Sequence, residues 1–231
     1  MGVLISLDRR ETMTDIEIKT QPNIEVMKEE IPHLLEEGEI GAILEFVVTD
    51  KNGNITEKRV LKSESFVRQF LELLWVNFQN LDYRSGRYCA DVYGGYACVR
   101  ADRRLWSAGG GIGEITRGIL VGTGTNVPTI NDYTIQTLIP HGTGLGQLQY
   151  SAVTFGAPSS DATTSQFTVT RNFANGSGAQ VTVYELTLVV QSYADSYVQY
   201  YHMVIRDMIP GGIAVPNGQT LTVNYRIQVT T

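Results

Sequence analysis

The sequence predicts a mainly β protein whose largest unit is an antiparallel β-sandwich. From Glu114 onward, short apolar runs are separated at regular intervals by clusters of Gly, Pro, Asn and Ser, which is typical of a sandwich. The last run alternates without a break, so one of its faces is predicted to lie in a core. The predicted core residues are Leu221, Val223, Tyr225, Ile227 and Val229. Jelly-roll and immunoglobulin-like arrangements both fit this pattern.

Residues 1–39 are predicted to be an extended arm. The segment has mixed charge, contains Pro22 and Pro32, and shows no sustained hydrophobic period. Arms of this kind are often ordered only by contact with a neighbouring subunit. We therefore expect the arm to be an assembly element.

Residues 40–80 are predicted to form a β-hairpin followed by a buried helix. The hairpin turn is placed at Asn52-Gly53, because both residues readily adopt positive φ. Ser63 or Ser65 is the expected helix cap, and apolar residues from Phe66 to Phe78 recur at steps of three and four. Such a broad apolar face must pack on a sheet or on a partner.

Residues 81–113, rich in Gly, Tyr and Arg, are predicted to be a long loop. A turn at Asp91–Gly95 would bring Cys89 close to Cys98, either as a disulfide or as two thiols. Their spacing fits no redox or zinc motif. The glycine run 109–113 lacks the spacing of a phosphate-binding loop.

Residues 114–231 form the predicted sandwich domain. Val181 and Val183 share one parity whereas Leu186 and Leu188 share the other, so we expect a bulge near Tyr184-Glu185. Seven strands are predicted, namely Ile115–Val121, Tyr133–Ile139, Gln147–Phe155, Gln166–Phe173, Val181–Val190, Tyr197–Arg206 and Gln219–Val229.

The charge pattern disfavours a nucleic-acid-binding protein. The net charge is −6, with 9 basic and 15 acidic residues in positions 1–75 and no basic stripe later. Neutralising phosphates supplies much of the affinity for nucleic acids, and this chain offers little of it. No apolar run reaches the roughly 18 residues of a membrane helix, so no membrane partner is expected.

No motif of catalysis is present in the sequence. His33, His141 and His202 are widely separated, and none stands at metal-ligand spacing from another ligand. The chain also lacks the Gly-x-Ser-x-Gly elbow of a hydrolase. We therefore expect no enzyme activity, no catalytic residues, no cofactor and no metal.

Arginine and tyrosine clusters indicate subunit interfaces. Both residue types are enriched at protein contacts, and the acidic arm complements the arginine loop in charge. A homo-oligomer is expected, and the candidate interface residues are Arg84, Arg87, Arg103, Arg104, Tyr197, Tyr200 and Tyr201.

Three segments resemble a group of proteins encoded by tailed bacteriophages and related prokaryotic viruses. The first is Gly118–Tyr133, with the pattern GxGTxxPTxxDY; the second is Phe167–Leu188, with RxFxN and then VxVxEL; the third joins Ile205-Arg-Asp to Val215–Ile227. Thr187 stands where the usual pattern has glycine. The resemblance covers about half of the chain.

The resemblance implies a virion structural protein, made in the host cytoplasm and assembled into a capsid, neck or tail. Its implied partners are copies of itself and other virion proteins, as a decorating, collar, tail or fibre-attachment subunit. The alternative is a receptor- or carbohydrate-binding module of a fibre, in which exposed tyrosines of residues 83–96 stack on host-surface glycans.

Overall fold

The computed structural model describes residues 16–18, 35, 39–63, 66–79, 88–98, 106–193 and 198–231. These ranges contain one helix, α1 (Arg68–Gln79), and thirteen strands. The strands are β1 (Ile16–Ile18), β2 (Ile40–Thr49), β3 (Ile55–Ser63), β4 (Tyr88–Ala90), β5 (Tyr96–Cys98), β6 (Gly118–Gly122), β7 (Gln149–Tyr150), β8 (Thr154–Phe155), β9 (Ser159–Ser160), β10 (Thr164–Ala174), β11 (Val181–Tyr193), β12 (Gln199–Val215) and β13 (Thr220–Thr230).

The strands form two main antiparallel sheets and a separate hairpin. The larger sheet has the order β1-β3-β2-β13-β10-β7, and β8 and β9 also pair with β10. The smaller sheet has the order β12-β11-β6, and β4 pairs with β5. Side chains from both main sheets, such as Phe46, Val223, Val183 and Ile205, enter one hydrophobic core. The predicted mainly β, antiparallel class is confirmed, and the arrangement is compatible with a β-sandwich.

The β2–β3 hairpin is part of the larger sheet. β2 pairs with β13 from Ile40 to Thr49, so residues 40–63 and the C-terminal strands share one sheet. The Asp50 carboxylate closes the turn by accepting hydrogen bonds from the backbone N–H groups of Asn52 and Asn54, at 2.8 and 2.9 Å. Gly53 has φ +84°, but Asn52 does not adopt a positive φ. The Gly53 N–H donates to the Asp50 carbonyl, so the turn is centred on Lys51-Asn52 and not on the predicted Asn52-Gly53.

The last strand follows its predicted register for most of its length. Leu221, Val223 and Tyr225 are fully buried, but Ile227 is only half-buried, and Gln228 is buried in place of Val229. Gln228 donates a hydrogen bond to the Thr230 hydroxyl, and the Thr230 N–H donates to the Glu39 carbonyl. The Glu39 backbone thus binds this end of the strand.

Two of the predicted strands are largely loop. Residues 133–139 contribute only an isolated bridge between Leu138 and Gly122, and Gln147–Phe155 is reduced to β7 and β8. The backbone N–H groups of Gln136 and Thr137 donate to the Glu185 carboxylate instead of to a strand. The predicted bulge in β11 is present between Val183 and Glu185, and a second shift lies at Leu188/Val189.

The helix begins at Arg68, later than either predicted serine cap. Ser63 ends β3 instead, and its hydroxyl donates to Asp207. The N–H of Val67 donates to the Val204 carbonyl, which fixes the start of α1 on β12, and Leu73 is buried. The helix therefore packs on a sheet of its own chain, which is one of the two arrangements that its apolar face predicts. In the described parts of the chain no helix is long and apolar enough to cross a membrane.

Candidate interaction surface

Arg171 of β10 is buried and holds the loop that leads into β6. Its guanidinium donates to five backbone carbonyl oxygens, at 2.6–3.3 Å; they belong to Gly111, Glu114, Arg117, Ile119 and Ser151. The ring of Tyr150 lies 4.8 Å from its Cζ. Burial lowers the pKa of Arg171 to about 10, so the side chain stays charged at neutral pH.

Glu185 and Arg206 fix the next loop, residues 123–138. The Glu185 carboxylate is fully buried and accepts from Arg206 at 2.9 Å and from the N–H of Gly124 at 2.9 Å. A Cβ on Gly124 would lie 2.2 Å from Glu185 Oε1, so glycine is required for this approach. Arg206 also donates to Asp132 at 2.7 Å.

Asp207 links the two main sheets through the core. Its carboxylate accepts from the Ser63 hydroxyl at 2.9 Å and from the Tyr225 hydroxyl at 3.0 Å. Ser63 and Tyr225 belong to the larger sheet, whereas Asp207 belongs to the smaller one. Burial, together with the Asp207 carboxylate, raises the pKa of Tyr225 well above its ordinary value, so Tyr225 remains a donor.

The residues that make these hydrogen bonds lie mostly in the three segments that carry the resemblance. Gly124 and Asp132 lie in the first segment, Arg171 and Glu185 in the second, and Arg206-Asp207 in the third. Most of them are buried. In these segments the matched residues attach loops to the sheets and join the two sheets.

Ser192 and His202 have hydrogen bonds that superficially resemble those of a catalytic pair. The His202 Nε2 lies 2.7 Å from the Ser192 hydroxyl, and Nδ1 lies 2.8 Å from the Ala90 carbonyl. Both side chains are fully buried, so this pair joins β11 and β12 to the β4–β5 hairpin. Among the described residues, no three His, Cys, Asp or Glu side chains are grouped to hold a metal ion.

The β4–β5 turn presents exposed tyrosines on a fixed backbone. The Asp91 carboxylate accepts from the N–H groups of Tyr93 and Gly95, at 3.0 and 2.8 Å, and Gly94 has φ +81°. The Val92 N–H donates to the Tyr201 carbonyl, which attaches the turn to β12. Tyr93 is 71% exposed and Tyr96 is 63% exposed.

Two further tyrosines border this turn. The rings of Tyr93 and Tyr201 are perpendicular, with centroids 6.4 Å apart. A Cβ on Gly94 would lie 3.6 Å from the ring of Tyr133, so this ring packs against the turn. Partial burial raises the pKa of Tyr93, and the nearby Tyr201, Asp91 and Glu114 raise it further. We call Tyr93, Tyr96, Tyr133 and Tyr201 the tyrosine cluster.

Large aliphatic side chains are also exposed on the loops that precede β10. Ile112 is 82% exposed and Leu145 is 81% exposed, and Val127 and Ile130 are each more than half exposed. The loops of Ile112 and Leu145 meet, since a Cβ on Gly113 would lie 3.2 Å from the ring of His141. We call Ile112, Val127, Ile130 and Leu145 the loop aliphatics.

The structure describes two of the seven predicted interface residues. Tyr200 and Tyr201 are half-buried on β12, and Tyr201 joins the tyrosine cluster. The other five, Arg84, Arg87, Arg103, Arg104 and Tyr197, lie outside the described residues, so their roles stay predictions.

Sequence reasoning missed Tyr133 and the loop aliphatics. Their flanking glycines and prolines indicate loops, but the local sequence does not show which apolar residues of a loop are exposed to solvent. Cys89 is buried, and the hairpin register pairs it with Ala97 and pairs Cys98 with Tyr88. The Cys98 side chain lies outside the described residues, so the two alternatives for the cysteines stay predictions.

No family model, curated protein or solved structure matches this chain. Its function is therefore inferred from its residues and from the geometry above.

Proposed function

We propose that this chain is a repeated structural subunit of the virion of a tailed prokaryotic virus. It assembles with copies of itself and with other proteins of the capsid, neck or tail. The observation that carries self-assembly is the exposure of the loop aliphatics, which a neighbouring subunit would cover. The assignment to a virion rests on the resemblance of the three segments to proteins of tailed prokaryotic viruses.

The energetics favour a preformed contact. Complete burial of one large aliphatic side chain contributes about 1.5–3 kcal/mol, whereas ordering flexible loops on binding opposes association. Here the loops of Ile112, Val127 and Ile130 are already held by Arg171 and Glu185, and the loop of Leu145 is closed by Gln147, whose side chain accepts from the Gly144 N–H. Binding would therefore lose little additional loop entropy.

Sedimentation velocity on the full chain at micromolar concentration tests this proposal. The wild type should form an oligomer, and Ile112→Asp with Leu145→Asp should shift it toward smaller species, because a charge must then be desolvated at the contact. Leu71→Asp, at an exposed position of α1, is the matched control. Circular dichroism checks that each variant folds.

A monomeric wild type that joins no particle would overturn the proposal. Imaging of the native particle with a label on this chain tests the location in the virion. Finding the chain in infected cells but not in purified particles would contradict the assignment to the virion.

The tyrosine cluster favours a second candidate function, the binding of host-surface glycans. Tyr93 and Tyr96 present large aromatic surfaces to solvent from a fixed turn, and such surfaces stack on sugar rings with little ordering cost. A glycan array followed by NMR titration tests it. Tyr93→Ala with Tyr96→Ala should abolish binding, whereas Phe155→Ala, which removes an exposed aromatic elsewhere, should not.

A further inference from the structure

The outermost strand of the larger sheet comes from the arm. β1 pairs with β3 through three residues, with Ile16 opposite Val60, Glu17 opposite Arg59 and Ile18 opposite Lys58. The other edge of β3 is occupied by β2 along most of its length. The outer edge of β3 is thus a surface that accepts an extended segment by strand addition.

If β1 and β3 belong to the same chain, the connection from β1 to β2 has to cross β3. β1 and β2 are both antiparallel to β3, so they run parallel to each other on its two sides. Residues 19–39, 21 in number, must return along β3 and cross it before β2 begins. Such crossovers need a dozen or more residues. An arm from a second copy reaches the same edge without this crossing and makes the same residue pairs.

The chain is long enough for exchange between copies. Leu35 is buried, and a Cβ on Gly41 would lie 2.6 Å from its side chain, so Leu35 is fixed beside the start of its own β2. The segment from Ile18 to Leu35 can span about 55 Å when extended. That length bridges adjacent subunits of this size.

Charge favours the same contact. Residues 1–39 contain 10 acidic and 4 basic side chains, whereas β3 contains Lys58, Arg59 and Lys62 against Glu57. Within the chain, Lys62 pairs with Glu39 at 2.7 Å and Lys58 pairs with Glu45 of β2 at 3.2 Å, and Glu17 of the arm lies opposite Arg59 in the register. Opposite net charges steer an arm toward this strand.

We propose that the outer edge of β3 binds residues 16–18 of a second copy of this chain, so that neighbouring subunits are linked by exchanged arm strands. This rests on the proposed self-assembly and names one of its contacts. It also replaces the arginine loop as the acceptor of the acidic arm. Strand exchange reuses contacts that one chain already encodes.

Cysteine cross-linking tests the exchange. Ile16→Cys and Val60→Cys are placed in separate, differently tagged chains that carry Cys98→Ser, and the two chains are co-expressed and oxidised with copper phenanthroline. Residues directly opposite in the register lie within disulfide range. A covalent heterodimer is expected on a non-reducing gel and in the intact mass. Ile16→Cys with Ile55→Cys is the control, because five residues along β3 place the sulfurs about 17 Å apart.

The outcomes separate this inference from the proposed function. If Ile16→Cys and Val60→Cys in one chain give only an internal disulfide and the co-expressed chains give no dimer, the arm pairs with its own β3 and the exchange is wrong. Absence of any cross-link overturns it equally. Sedimentation of the wild type is read separately: an oligomer leaves the proposed function standing, whereas a monomer overturns both.

Discussion

The two main sheets each bury an arginine, and they stabilise it in different ways. Arg171 of the larger sheet donates to five backbone carbonyl oxygens, whereas Arg206 of the smaller sheet donates to the carboxylates of Glu185 and Asp132 and to one backbone carbonyl. Carbonyl dipoles satisfy the donors without neutralising the charge. Carboxylates also neutralise it, but they must themselves be desolvated.

The difference shows which loop depends on which interaction. Arg171 holds the backbone of residues 111–119 directly, since this one side chain donates to four carbonyl oxygens of that segment. The loop of residues 123–138 is held through Glu185, which accepts from Gly124, Gln136 and Thr137 as well as from Arg206. Its attachment is therefore shared between several groups.

Arg171→Met should cause the largest loss of stability. It leaves five carbonyl oxygens without their donor, that of Ile119 in a buried hydrogen bond and the other four in partly buried ones. Each unsatisfied buried group costs about 1–3 kcal/mol. We expect the free energy of unfolding to fall by at least about 4 kcal/mol, measured by urea denaturation.

Two variants control this experiment. Arg171→Lys keeps a charge but cannot reproduce the planar fork, so it should recover only part of the loss. Arg226→Met, at a half-buried position in the neighbouring strand β13, should change stability by less than about 0.5 kcal/mol. Full stability of Arg171→Lys would mean that the five-carbonyl geometry does not matter.

Arg206→Met should cost about 3–5 kcal/mol, because it leaves the buried Glu185 carboxylate without its counter-charge. The partners of Arg171 are backbone carbonyls, which a mutation does not remove, whereas Arg206 has the Glu185 side chain as a partner, and that side chain can be replaced. In a double-mutant cycle with Glu185→Leu, the two losses should fall short of additivity by about 1.5–3 kcal/mol. Additive losses would show that the two side chains act independently.

The sheets were more predictable than the loops, for a physical reason. Alternation in β13 and the phase change at Tyr184-Glu185 are local patterns, and both predicted local backbone geometry. Residues 133–136 also alternate between apolar and polar side chains, yet the N–H groups of Gln136 and Thr137 bond a carboxylate that lies far away in sequence. No local pattern records such a partner.

The surface was the least predictable part. Tyr201 was identified from its residue type, but its contact with Tyr93 depends on how the β4–β5 turn docks on β12. Leu145 lies in a glycine loop that the Gln147 side chain closes by accepting from the Gly144 N–H. No local pattern tells that the Leu145 side chain then faces solvent.

The smaller sheet should respond to mild acid through His202. Burial lowers the pKa of His202 below its ordinary value of 6.5, although the Ala90 carbonyl, Asp91 and Glu72 favour the charged form. The folded state therefore prefers neutral histidine. Its contribution to stability is complete above pH 6.5 and is lost as the pH falls from 6.5 through the folded-state pKa.

Urea denaturation at pH 7.5 and pH 5.5 measures this effect. The wild type should be less stable at the lower pH, and His202→Gln should lose most of that difference. An equal free energy of unfolding at both values, or an unchanged difference in His202→Gln, would contradict the prediction.

The smallest expected effect concerns Asp132, which is partly exposed beside Arg206. Burial would raise its pKa, but hydrogen bonds from Thr129 and from Arg206 outweigh it and lower the pKa below 3.8. The Asp132 contribution is therefore present above pH 3.8 and is lost as the pH falls through the folded-state pKa. The carbonyl partners of Arg171 do not titrate, but Glu114 of the same loop does, and its pKa is lowered because its partial burial is outweighed by hydrogen bonds from Thr116. With Glu114→Gln as the background for all measurements, acid should loosen residues 123–138 before residues 111–119. Amide hydrogen exchange at pH 4.5 and pH 3 compares the two loops, and Asp132→Asn should remove the difference between them. Equal protection of both loops at pH 3 without the Asp132→Asn change would show that the Asp132 carboxylate does not make residues 123–138 more sensitive to acid.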